Sequence, residues 1–162
     1  MKIVPYEFIK SIQNEVDDMH VADSQNLMQK IYLEQPNLTE YIVAVNRELD
    51  DELNKYVLYT FNTIYYAVER FYQKEFPVIS DKTIIKCHEE NEALLESLQT
   101  SLDIFITRLA EENYKEQPGI YKFITKTIFE DLREISDITE DEKGWIFLVL
   151  KSIVDALNEK NN

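Results

Sequence analysis

The sequence predicts an all-α protein, a single bundle of about six helices, on three observations. Glycine occurs twice and proline four times in 162 residues, so few turns are marked and they stand far apart. Apolar residues recur three and four apart through most of the chain, which is the period of one helix face. No segment alternates strongly enough to compete as a strand. Tyr56 to Tyr66 is β-prone by propensity, but its flanks are helical. With 44% apolar and 12% aromatic residues, the chain can bury one core, and residues 1–162 read as a single domain.

The first helical segment spans Pro5 to Leu33. Phe8, Ile9, Ile12, Val16 and Met19 mark its apolar face, followed by Leu27, Met28 and Ile31. Its polar middle, His20 to Ser24, predicts a break or bend, and Pro36 ends it. The second helix starts near Asn37, where Asn37 and Glu40 have the spacing of a capping box. Leu38, Tyr41, Ile42 and Val45 form its apolar side. The acidic stretch Glu48 to Glu52 predicts a bend into a third helix, which runs to about Phe76 and stops before Pro77.

Ser80 or Asp81 caps a fourth helix, expected to reach about Tyr114. Ile84, His88, Asn91, Leu95, Leu98, Leu102, Phe105 and Leu109 alternate by four and three along it, a heptad seam that calls for nearly antiparallel neighbours. Pro118 and Gly119 open a fifth helix with Ile120, Phe123, Ile124, Ile128, Leu132 and Ile135 on one side. Thr139 and Glu142 form a capping box before the last helix, which ends near Asn158.

An internal repeat overlies these elements. Glu34-Gln35-Pro36 through Ile42 recurs as Glu116-Gln117-Pro118 through Ile124, an offset of 82 residues. Tyr56 to Phe61 then corresponds to Trp145 to Leu150, with the second connector seven residues longer. The chain therefore reads as two related three-helix halves, about 5–76 and 80–160. Proline fixes the helix entry in each copy, and a nearby Glu complements the helix dipole.

Several chemistries are excluded by composition. Gly119 and Gly144 stand too far apart for a phosphate-cradling loop or a nucleophile elbow. One cysteine, Cys87, and two histidines, His20 and His88, fall short of a structural zinc set and of any intrachain disulfide. Met1 to Tyr6 lacks the apolar stretch of a signal peptide, and the longest apolar run is only Trp145 to Leu150. The net charge of −14, with Lys and Arg scattered, opposes binding to nucleic acid or to an anionic membrane. The expected location is the cytoplasm, and no cofactor is expected.

Three constellations deserve comparison. Asp17, His20 and Asp23 are spaced by three and can share a helix face, so with His88 they are candidate metal ligands. The spacing does not match the Glu-x-x-His pairs of di-metal bundles, and a solvated helix break explains these residues as well. Cys87 and His88 are neighbours that point about 100° apart on a helix, so they form no nucleophile–base pair by themselves. His88 and Asn91 lie on the heptad seam, where polar residues fix register.

The third helix is the most informative. Eight of the nineteen aromatic residues fall between Tyr56 and Phe76. Most make one wide apolar face, but Tyr59 and Tyr66 lie on the other side, near Asn62, Glu69 and Gln73. Under the repeat Tyr59 corresponds to Leu148, also off its helix's main apolar face. Either these helices are surrounded within the bundle, or that side meets a partner.

The reading is a non-enzymatic helical protein acting by protein–protein contact, with a protein partner or a second copy at Tyr59, Tyr66 and Leu148. One alternative is a metal- or ligand-binding bundle with enzymatic activity. Another is an acidic decoy or immunity-type protein that binds a basic partner.

Overall fold

The structure is a computed structural model that describes residues 2–97, 101, 104, 106, 116–132 and 137–159. Seven α-helices lie among them: α1 (Tyr6–Asp17), α2 (Val21–Glu34), α3 (Pro36–Val45), α4 (Asp51–Tyr72), α5 (Asp81–Glu96), α6 (Pro118–Lys126) and α7 (Glu140–Glu159). A π-helical turn, Thr127–Asp131, continues α6. No strand occurs among the described residues. The all-α bundle is as the sequence predicts.

The helix starts follow local chemistry. Asp50 accepts from Leu53 N at 2.8 Å and caps α4, while Ser80 accepts from Thr83 N and caps α5. Thr139 and Glu142 close the expected capping box in both directions, at 2.8 and 3.2 Å. The break in the first segment falls at Asp18 to His20, and His20 stands at the N-cap of α2.

Three boundaries differ from expectation. The box at Asn37 and Glu40 does not form. Pro36 opens α3, and the Asn37 side chain instead donates to Ile79 O at 2.8 Å. The third predicted helix ends at Tyr72, short of Phe76, because Gln73 turns left-handed at φ 51° and an extended stretch follows. The helix expected to reach Tyr114 is described to Glu96, with Ser97 as its C-cap. The seam positions Leu98, Leu102, Phe105 and Leu109, and Ile135 of the next helix, lie outside the described residues.

One continuous core joins all seven helices, from Val4 and Ile9 to Val154 and Leu157. Two helices are wrapped most completely. α4 buries ten residues and α7 twelve, including Leu148 to Leu150 in succession, so both are buried on more than one face. α1 packs on α4 and α6, while α5 packs on α7 and α3.

The two Glu-Gln-Pro segments have the same backbone and make the same kind of contact. Gln35 stands at φ −135°, ψ 62° and Gln117 at φ −142°, ψ 62°, each as the N-cap of its helix and each fully buried. Gln35 Oε1 accepts from Ile79 N at 3.1 Å, and its Nε2 donates to Pro77 O at 3.1 Å. Gln117 Oε1 accepts from Val4 N at 3.0 Å, and its Nε2 donates to Lys2 O at 2.9 Å. Each glutamine thus pairs, strand-like, with the extended segment that leads into a distant helix, α5 in one case and α1 in the other. Where Asn37 reaches Ile79 O with its side chain, the matching residue is Gly119. A Cβ there would sit 2.1 Å from Val4 O, so only glycine lets the backbones approach.

Candidate functional site

Tyr59 and Tyr66 lie seven residues apart on α4, on the side that α1 covers. Both are half-buried. The Tyr59 hydroxyl donates to the Asp17 carboxylate, and the Tyr66 hydroxyl donates to Glu15 Oε1 at 3.0 Å. Arg70 completes the row. Its guanidinium lies 5.2 Å from the Tyr66 ring centroid and donates to Glu15 at 3.1 Å. Burial, reinforced by the Asp17 carboxylate, pushes the Tyr59 phenol well above its ordinary value. Burial and Glu15 push Tyr66 in the same direction. The partner met by these two tyrosines is α1 of the same chain.

Leu148 departs from the expected contact surface. It is 2% exposed, because α7 is enclosed by neighbours on the side where solvent was allowed for. The surrounded-helix alternative therefore describes this position.

The candidate metal ligands do not converge. Asp17 is engaged by Tyr59, while His20 and Asp23 are exposed at the start of α2. His88 Nδ1 stands 2.7 Å from the Tyr41 hydroxyl, with its ring edge-on to Trp145. No group of three His, Cys, Asp or Glu side chains that could hold a metal occurs among the described residues. His88 bridges α3 and α7 from its place on the α5 seam, as a register residue does. Cys87 is buried, and burial pushes its thiol up to about 12, far from a reactive thiolate.

Asn91, the next seam residue, enters a buried polar cluster. It donates to Ser152 Oγ at 3.2 Å and to Asp155 Oδ2 at 2.9 Å. Asp155 also accepts from the Tyr121 hydroxyl at 2.7 Å and from Lys151 at 2.6 Å. The cluster ties α5, α6 and α7 together, and its donors and acceptors satisfy one another.

Two open features with apolar walls adjoin α2. The first is a cleft of about 220 Å³ between α1, α2 and α4, lined by Val16, Ser24, Leu27, Met28, Lys55, Leu58, Tyr59 and Asn62. The second is a groove of about 450 Å³ between α2 and α3, lined by Tyr32, Thr39, Glu40, Val43, Ala44 and Arg47. Of the apolar residues on α2, only Leu27 and Ile31 are buried. Met28, expected on the inward face, is 46% exposed, as is Tyr32, and Val43 of α3 is 53% exposed. Met28 and Tyr32 are one helical turn apart, and Tyr32 and Val43 share the groove, so they form an apolar strip. The sequence signal for this strip was present as an α2 face wider than two inward residues require.

No helix of the described residues is long and apolar enough to cross a membrane. Comparison with protein families, with curated proteins and with solved structures finds no match to this chain.

Proposed function

We propose that this is a non-enzymatic helical protein that acts by binding another protein, and that the contact surface is the α2–α3 face. The observation that carries the reading is the strip of Met28, Tyr32 and Val43, apolar side chains left about half exposed, the last two of them lining an open groove. Tyr and Met are favoured at such surfaces because they offer large, adaptable contact area. The partner proposed is a protein with a basic rim around an apolar contact. A net charge of −14 on each chain opposes self-association and draws a cationic partner. The proposed strip does not include Tyr59, Tyr66 or Leu148, although Met28 and Tyr59 line one cleft. The reading also takes the chain as two related halves, supported by the matched Gln35 and Gln117 segments.

A photo-crosslinking amino acid placed at Tyr32 and at Val43 tests it in cells, with exposed Lys82 on α5 as the control site. The expected result is an adduct with one basic protein from both strip positions, absent from position 82 and lost when Met28→Glu is added. Equal adducts from the control site, or none from the strip, would overturn the reading. An adduct with a second copy of the chain would replace the basic partner by a homodimer.

A further inference from the structure

We propose that the cleft between α1, α2 and α4 binds a small apolar monocarboxylate, with an aliphatic or aromatic body of about ten non-hydrogen atoms. The proposal does not rest on the partner reading above.

The cleft volume of about 220 Å³ is room for about seven waters, smaller than sites for drug-sized ligands. Val16, Leu27, Met28 and Leu58 supply apolar walls, which call for an apolar body. The polar groups say what that body must carry.

Asn62 is 8% exposed, lines the cleft, and forms no hydrogen bond among the described residues. Its amide atoms are not sealed from solvent, so in the cleft a ligand can take the place of water as their partner. Its neighbours on α4 are engaged elsewhere. Thr63 spends its hydroxyl on Tyr59 O at 2.9 Å, and Tyr59 spends its own on Asp17. The sequence alignment of the halves places Lys151 opposite Asn62, and Lys151 is satisfied by Asp155 at 2.6 Å. The two halves therefore differ at this position.

Lys55, two turns earlier on α4, also lines the cleft and forms no ion pair among the described residues. Lys55 is exposed, so its ammonium is available to a ligand in the cleft. An anionic oxygen between Lys55 Nζ and Asn62 Nδ2 would meet both groups through charge-assisted hydrogen bonds. One cation and one amide match a single negative charge. Asp17, held close by through Tyr59, opposes any anion, and a dianion such as a phosphate ester about twice as strongly as a monocarboxylate.

Sodium octanoate and 4-phenylbutyrate are the probes, titrated separately into the ¹⁵N-labelled full chain and followed by amide chemical shifts. The expected result is saturable shifts for at least one of them, confined to residues around Val16, Leu27, Met28, Leu58 and Asn62. Which probe binds decides between the aliphatic and the aromatic body. Octan-1-ol should bind about tenfold more weakly or worse, because it lacks the charge. Lys55→Gln, an exposed and structurally mild change, should weaken binding about tenfold. Asn62→Leu should abolish binding while leaving the melting temperature unchanged or higher, because it breaks no hydrogen bond among the described residues. Absence of shifts with both probes, equal binding of octan-1-ol, or unchanged affinity in Lys55→Gln would each overturn the proposal. So would shifts scattered over the whole surface.

Discussion

Gln35 and Gln117 stand 82 residues apart and hold the same posture, each accepting one backbone N–H and donating to a backbone carbonyl two residues before it. The segments they hold, Pro77–Ile79 and Lys2–Val4, lead into α5 and α1. Neither segment has a strand neighbour among the described residues, so the glutamine amide takes the place of a ladder partner for buried backbone. Gln35 serves the later part of the chain and Gln117 the earlier, so the two ends of the fold are fastened crosswise.

Gln117→Met keeps the volume and removes both hydrogen bonds, leaving Val4 N–H unpaired and Lys2 O with the Tyr72 hydroxyl as its remaining donor. It should destabilise the protein by about 2–3 kcal/mol, read from the urea midpoint. Gln35→Met should do the same through Ile79 and Pro77. Hydrogen exchange locates the effect: the Val4 amide should lose protection in the first variant and the Ile79 amide in the second. A loss under about 0.5 kcal/mol in both variants would mean that the clamps contribute little.

Gly119→Ala should destabilise by about 3 kcal/mol, because its methyl would meet Val4 O, Tyr6 N and the Pro5 carbonyl carbon, all backbone atoms. Asn37→Ala, at the matching place in the other segment, removes only the bond to Ile79 O and should cost about 1 kcal/mol. The ratio of the two losses is the readout. Equal losses would show that the helix and the entry segment can separate without penalty at Gly119.

Stability should fall at alkaline pH. Tyr41, Tyr56, Tyr59 and Tyr65 are all raised above 10.0, chiefly by burial, and Cys87 is pushed up from 9.0 to about 12. A raised acid is protonated in the fold when the unfolded chain has already lost its proton. The stability it contributes is therefore full below the unfolded value and is lost as pH rises towards the folded one. The urea midpoint should hold to about pH 9 and then decline, the thiol acting first and the phenols above about pH 10. Phenolate absorbance in the folded protein should lag behind that of free tyrosine. A flat midpoint through about pH 11 would refute this.

Asn46 is a buried amide with neither Nδ2 nor Oδ1 hydrogen-bonded, at the C-terminal end of α3. Its backbone, φ −94° and ψ 10°, suits an ordinary side chain. Asn46→Leu should leave stability unchanged or raise it by about 1 kcal/mol in the same urea assay. A loss greater than about 1 kcal/mol would mean that the amide is satisfied in solution.

What could be read from the sequence was local. The Ser80 cap and the Thr139–Glu142 box depend on residues three apart, and the break near His20 on a short polar run, so spacing alone locates them. Asn37 has the right spacing for a box but is taken by Ile79, a partner 42 residues away that no local pattern reveals. Leu148 was misplaced for a related reason. A helix wheel shows which face is most apolar, but whether the opposite face is also covered depends on the neighbours it meets. The polar side of α4 could be picked out, with Tyr59, Tyr66 and Asn62 together. That Tyr59 and Tyr66 would find carboxylates on α1 while Asn62 would find nothing is a matter of tertiary geometry.

The bond from Val4 N to Gln117 Oε1 also sets a timetable for synthesis. The two residues are separated by 113 positions, so the acceptor is made long after the donor has left the ribosome. At ordinary elongation rates the delay is on the order of ten seconds. Throughout that interval the Val4 amide lacks its glutamine partner, and only the Tyr72 hydroxyl, made earlier, can hold the segment at Lys2 O.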